Sequence, residues 1–243
     1  MFAPYVFNKR DMINNFESPA QYSNWLTKQL RAKRIVKVRN DLYVHIDSSG
    51  YPLSTKFEIA TKIASDAFVC YHSALEYYGV ANQVFNLVTV GSNKRFNEFS
   101  FDDIDYIRKP VKHFVQVNNI VTAGVRITSL ERTIIDCIDD LDSGGGIEEL
   151  LNALEQIRVL DEKKLLETLN AYNSIVLYQK AGYVLEEFKE KLMLSDAFFY
   201  ECKSHLTNQI KYFLQDEYQD ISYNSTWKLM VPKNLKSRIN GGY

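Results

Sequence analysis

Residues 18–46 read SPAQYSNWLTKQLRAKRIVKVRNDLYVHI, and within this stretch the pattern changes from a helical period to strict alternation. Ser18 and Gln21 have the spacing of a capping box: the hydroxyl accepts from the Gln21 amide and the Gln21 side chain answers back. Pro19 suits the first helical position. A helix is predicted from Pro19. At 100° per residue Tyr22, Leu26, Leu30 and the stem of Lys33 share one face, while Gln21, Asn24, Lys28 and Arg31 fall on the other. After Arg34, Ile35, Lys37 and Arg39 alternate with Val36 and Val38, Arg39-Asn40-Asp41 turns, and LYVHI returns as a second strand. A short helix in FNKRDMINNF and a turn at Glu17-Ser18 precede this unit. The order matches a winged helix-turn-helix, in which the capped helix enters the major groove of DNA and the wing lies over the backbone. MFAPYV is too short for the helix that usually precedes the turn pair, so that helix is either dispensed with or replaced by the rest of the chain.

Charge supports a nucleic-acid partner. Residues 1–47 carry eight Lys or Arg against four Asp or Glu, which leaves 21 against 26 for residues 48–243, in a chain of net charge -1. Five of the cations, Arg31, Lys33, Arg34, Lys37 and Arg39, stand within nine positions. The expected DNA-binding set is Gln21, Asn24, Trp25, Lys28, Arg31, Lys33, Arg34, Lys37, Arg39 and Asn40. Amide tips pair with adenine edges, and Lys or Arg with guanine or phosphate. Gln21, Asn24 and Lys28, toward the helix start, are expected on bases, and Arg31, Lys37 and Arg39 on phosphate. SSGYP at 48–52 is the turn-forming run nearest the change of charge, so the expected domains are residues 1–47 and 48–243.

At 243 residues, 46% of them hydrophobic, the chain can bury a substantial core, which argues against disorder. The opening residues MFAPYVFNKR hold no apolar run of the secretory kind, and no stretch approaches the ~20 apolar residues of a membrane span. A cytoplasmic protein is expected. Cys70, Cys137 and Cys202 are odd in number and form no CxxC pair, so buried thiols are expected rather than disulfides or a metal site.

Beyond residue 47, KFEIATKIA and HSALEYYG read as helices and FNLVTVG, FSFDDIDYI and IVTAGVRITS as strands. Helices dominate from Leu130 to about Gln215, STWKLMVP reads as a last strand, and Gly144-Gly145-Gly146 as a loop between helices. The fold class is therefore α+β: an N-terminal winged helix-turn-helix, then a larger mixed α/β domain with a helical C-terminal part. In ITSLERTIIDCIDDLDSGGG, Thr128 and Glu131 have capping-box spacing, Arg132 and Asp136 the i, i+4 spacing of an ion pair, and Leu130, Ile134, Ile138 and Leu141 one face. Helix building explains all four polar residues without catalysis. His72-Ser73 opens a helix, where Ser73 reads as a cap. No phosphate-loop, dinucleotide, hydrolase-elbow or zincin motif is present, so no catalytic residue, metal or cofactor is expected. Glu201-Cys202-Lys203 has the E-x-K form of some nucleases, but its surroundings have helical spacing. Most of the 16 tyrosines are expected in core or interface.

The order of segments resembles a known family. A basic winged-helix start ending in NDLYVHI, then VCYHSALEYYGV, SLERTIIDCI, a Gly-rich break, QKAGYVLEEF and STWKLMVP is similar to the AbiEi antitoxins of type IV toxin-antitoxin systems. The resemblance spans nearly the whole chain and rests on HSAL with a Gly seven residues after the His, ERT with an Asp five residues after the Glu, and AGYVLE. It departs at NDLYV, where a Gly before the Tyr is usual. The resemblance implies an antitoxin that protects against phage by opposing a nucleotidyltransferase-like toxin without a stable complex. It also implies repression of its own operon, by an N-terminal domain bound to inverted repeats of double-stranded promoter DNA. The competing readings are a stand-alone winged-helix transcriptional regulator with a ligand- or partner-binding C-terminal domain, and a nuclease.

Overall fold

The computed structural model describes residues 4–214 and 221–233. The fold is α+β, and its residues divide into two compact units. The first comprises the chain up to Val69 together with Phe85–Lys112 and Val117–Ile127. The second comprises Cys70–Val84, His113–Gln116 and the chain from Thr128 onward. Residues 1–47 thus share a unit with the sheet that follows them, and the units do not divide at residue 48.

The first unit opens with β1 (Val6–Phe7), α1 (Lys9–Met12), a 3-10 turn (Ile13–Asn15), α2 (Pro19–Arg31), β2 (Ile35–Arg39) and β3 (Leu42–His45). Ser18 caps α2 as expected by accepting from Gln21 N, but the reciprocal bond is different: Gln21 Oε1 accepts from Glu17 N at 3.1 Å. The helix ends because Lys33 takes a left-handed conformation (φ 50°), which lets Lys33 N reach Leu30 O and Arg34 N reach Gln29 O. That turn delivers Ile35 into the hairpin, where Asp41 (φ 58°) makes the reversal. MFAPYV, too short for a helix, leads into a strand: Val6 and Phe7 pair antiparallel with Val44 and Tyr43, and the three strands run β1-β3-β2. Phe7, Met12, Tyr22, Ile35 and Tyr43 form a small core of their own. SSGYP is a tight turn and not a linker: Asp47 Oδ1 accepts from Ser49 N and Tyr51 N, and Ile46 bridges Pro52.

The same unit continues with α3 (Lys56–Lys62), capped by a reciprocal Thr55–Glu58 box, β4 (Phe68–Val69), β5 (Leu87–Gly91), β6 (Phe99–Phe101), β7 (Ile104–Lys109), β8 (Val117–Ile120) and β9 (Val125–Thr128). The strands make one sheet of order β6-β7-β5-β4-β9-β8, parallel at β5/β7 and β4/β9 and antiparallel at β6/β7 and β4/β5. Two expected strands are divided. FSFDDIDYI is a hairpin whose loop residues Asp102 and Asp103 both have positive φ, and IVTAGVRITS is broken by a 3-10 turn ending at Gly124 (φ 63°). Gly91 has to be glycine, since a Cβ there would stand 2.6 Å from the Phe68 ring.

The second unit is mainly helical: α4 (His72–Tyr77), α5 (Leu130–Asp139), α6 (Ile147–Gln156), α7 (Glu162–Tyr172), α8 (Ile175–Glu187) and α9 (Asp196–Ser204), with β10 (Lys211–Tyr212), β11 (Ile221–Asn224) and β12 (Leu229–Pro232). Gln215, the expected end of the helical run, lies outside the described residues. Helix α5 is buried on all sides from Glu131 to Ile138, and α4, α6, α7 and α8 pack against it. Cys70, Cys137 and Cys202 are buried free thiols. Burial pushes the Cys202 thiol up to about 12. No helix among the described residues is long and apolar enough to cross a membrane.

Candidate nucleic-acid interface

Asn24, Lys28 and Arg31 are exposed along one side of α2, and Lys33, Arg34, Lys37 and Asn40 are exposed from its end to the hairpin turn. The sequence foresaw this row because polar positions at 3- and 4-residue spacing fall together on a helix whose opposite side is packed. Three members of the expected set are placed differently. Gln21 is exposed, but its amide is spent on Glu17, donating Nε2 to the carboxylate at 2.9 Å. Trp25 turns inward, with ring centroids 5.5 Å from Phe16 and 5.8 Å from Phe7, so it braces the small core and leaves the outer face. Arg39 is half-buried and lies flat over Phe99 (4.9 Å) and Phe96 (5.5 Å); Nη1 is closed off from solvent with no hydrogen-bond partner among the described residues. Burial lowers the pKa of its guanidinium below the ordinary value.

Around Arg39 the structure brings together cations that sequence reasoning missed. A cleft of about 420 Å³ is lined by Arg10, Lys62, Lys94 and Arg95 beside Arg39, and Asp41 is the only acid in its lining. An adjoining cleft of about 380 Å³ shares Arg10 and Lys62 and adds Arg126. Lys62 pairs with Asp11 at 3.1 Å, and Arg126 donates to Ser65 O at 3.2 Å. Arg10 and Arg95 have no ion-pair partner among the described residues. These positions lie in four separate segments, and four of the cations fall in the part of the chain whose total charge is negative. A sum over residues 48–243 therefore conceals them. The dipeptide Lys94-Arg95 after the strand FNLVTVG is the one local signal in the sequence.

In the second unit the polar residues of SLERTIID are packed rather than presented. Arg132 Nε donates to Asp136 Oδ2 at 3.3 Å, the ion pair expected from the spacing, and Nη1 reaches Val115 O at 2.5 Å. Tyr172 donates its hydroxyl to Asp136. Burial pushes the Asp136 carboxyl up to about 6 although Arg132 and Tyr172 pull it down. Thr128 is not the cap: Ser129 accepts from Arg132 N at 3.2 Å, while the Thr128 hydroxyl bonds Thr133 at 2.7 Å. Glu131, not needed for a capping box, accepts from Asp161 N at 3.2 Å. Ser73 is buried inside α4, whose cap position is Tyr71 with no side-chain bond. Lys203 pairs with Glu186 at 3.1 Å and lies over Trp227, so Glu201 and Lys203 do not form the joint site the E-x-K reading needs. No group of three or more metal-ligating side chains is found among the described residues.

No protein-family model matches the chain, and no curated protein matches it. Among solved structures it is similar to the crystal structure of the RV2827C protein from Mycobacterium tuberculosis. The TM-score is 0.65 at 13% identity, over 98% of this chain and 90% of that one. At this identity the similarity shows the α+β fold alone.

Proposed function

We propose that this protein is a DNA-binding antitoxin: it represses its own promoter through the helix and hairpin of residues 18–46 and counteracts a nucleotidyltransferase-like toxin without forming a stable complex. The observation that carries the DNA-binding part is the exposed row Asn24, Lys28 and Arg31 on a capped 13-residue helix that runs directly into a basic hairpin. The order α1, turn, α2, β2, β3 supports reading this segment as a winged helix-turn-helix. On this reading Asn24 and Lys28 reach base edges and Arg31, Lys33, Arg34 and Lys37 meet phosphate. The antitoxin part rests on the AbiEi-like order of motifs, several of which are explained by packing. Gly79, seven residues after His72, has φ 69° at the end of α4; Gly182 of AGYVLE leaves room for Trp227 of STWKLM; Glu186 accepts from Trp227 Nε1 at 2.7 Å.

The test is a gel shift of the full chain on the DNA upstream of its own gene, over a salt series. Arg31→Ala should weaken binding to all sequences and reduce the salt slope by about one charge, while Asn24→Ala should relax discrimination at one base pair by ~1–3 kcal/mol. Co-expression with a nucleotidyltransferase-like toxin encoded beside it should relieve growth arrest without co-purification. Promoter binding untouched by both substitutions would remove the winged-helix assignment, and a stable complex with the toxin would remove the type IV reading.

A further inference from the structure

The cleft beside the hairpin turn carries more positive charge than the fold requires, and it is built from parts that are firmly held. Ser92 is fully buried and donates to Asp66 Oδ1 at 2.6 Å; Asn93 N donates to Asp66 Oδ2 at 2.9 Å, and Lys94 N to Ser92 Oγ at 3.1 Å. Burial pushes the Asp66 carboxyl up, but these hydrogen bonds more than offset it and hold its pKa below the ordinary value, so it stays an anion that fixes the loop. Two residues further on, Phe96 lies under the Arg39 guanidinium. Between these two anchors Lys94 and Arg95 are exposed. Asp41, the acid that lines the cleft, is already committed, its Oδ1 accepting from Lys9 N at 3.1 Å, and of the acids nearby Asp11 holds Lys62 and Asp66 is spent on the loop. The hairpin turn that would lie over a DNA backbone is therefore clamped by its own Arg39 to a loop that presents two further cations.

We propose that the protein–DNA interface is composite: Lys94 and Arg95, on the loop of the six-stranded sheet, bind the phosphodiester backbone beside the hairpin turn and extend the contact beyond residues 1–47. The inference rests on the DNA-binding reading above. Each phosphate neutralised releases condensed counterions and steepens the fall of affinity with salt by about 0.9 in the log–log slope. Preorganised, exposed cations are suited to this positioning role, which carries no sequence information of its own.

The experiment uses the full chain with Lys94→Ala and Arg95→Ala combined, on promoter DNA from 50 to 200 mM salt. The slope should flatten by ~1.8, so that over this fourfold range the wild type weakens about twelvefold more than the variant. Preference for the promoter over unrelated DNA should be retained and the thermal melt should shift by at most ~1–2 °C, since Lys94 gives up only an exposed bond to Ser65 Oγ while the loop stays held through Ser92 and the backbone. Arg158→Ala with Lys163→Ala, two exposed cations of the second unit, removes the same charge and should leave the slope as it is. Promoter binding with an unchanged slope in the loop variant, or an equal loss in both double variants, would overturn the composite interface while leaving residues 18–46 as the reader. A wild type that binds no DNA at low salt would remove both readings together.

Discussion

Measured against Asp136→Asn, the wild type should show the opposite of the pH dependence that an ion pair usually gives. Asp136 is buried against Arg132 and Tyr172, and burial raises its pKa from the ordinary 3.8 to about 6. An acid whose folded pKa lies above its unfolded value holds its proton more tightly in the folded chain. Between the two values the folded state therefore binds more protons, and stability falls as pH rises. The stabilisation is fully present below about pH 4 and lost by about pH 6. A rise from 3.8 to about 6, at roughly 1.36 kcal/mol per pH unit, amounts to ~3 kcal/mol. Asn keeps an oxygen for Arg132 or Tyr172 and removes the titration, so the other ionisable groups cancel when the two proteins are compared. Thermal melts from pH 4 to 7.5 should show the stability of the wild type relative to the variant declining by ~3 kcal/mol, or ~6–12 °C in Tm. A difference that stayed flat would show that Asp136 does not titrate with folding. One that grew with pH would show that the Arg132 attraction exceeds the desolvation penalty, and the reasoning would fail.

Gly182→Ala should destabilise the second unit by at least ~1–3 kcal/mol, because its Cβ would lie 2.0 Å from the fully buried Trp227 ring; loss of tryptophan fluorescence structure in urea melts is the readout, and an unchanged midpoint would contradict the packing. Ser129→Ala should cost ~0.5–2 kcal/mol through loss of the α5 cap, measured by chemical denaturation. If Thr128→Ala removed a cap and Ser129→Ala did not, the assignment of the cap would be wrong.

The parts of the fold that local chemistry dictates were legible. SPAQ put the start of α2 at Pro19, the alternation after Arg34 gave the hairpin, and Gly144–Gly146 form a turn in which Gly145 and Gly146 have φ of 90° and 96°. What failed depended on conformations that the residue types do not advertise. Asp102-Asp103 make a two-residue hairpin reversal where Asn-Gly would have announced one, and Lys33 ends α2 at a position where glycine is usual. Periodicity reads a charged residue as exposed. In α5 that rule fails, since Glu131, Arg132 and Asp136 find partners at Asp161, each other and Tyr172, and polar groups with partners can be buried. The candidate interface was half legible for a related reason. Along one helix the spacing gives the face, but the cleft collects Arg10, Lys62, Lys94 and Arg95 from distant segments, which the pairing of β4 with β5 and the Asp11–Lys62 contact bring together.

The small core of Phe7, Met12, Tyr22, Ile35 and Tyr43 bears on whether residues 1–47 can act alone. All five lie within those residues, as do Ile13, Phe16, Trp25 and Leu26 packed against them, but Val6, Val38, Leu42 and Val44 are buried outside this cluster and β1 lies against α3, so the segment also shares apolar surface with the rest of its unit. Charge and stacking add to that contact: Asp11 to Lys62, and Arg39 to Phe96 and Phe99. A partly exposed ion pair contributes ~0–1 kcal/mol and a cation–π contact ~0.5–2 kcal/mol, and a segment of under 50 residues is marginal by itself. The attachment is thus part apolar and part polar, and it matters for a segment with so little stability of its own. The SSGYP run and the charge reversal both favour a break after residue 47, and neither reports on Arg39. Its guanidinium is the group that joins the hairpin to the sheet loop, and a fragment ending at residue 47 would leave that cation and the two Phe rings without each other.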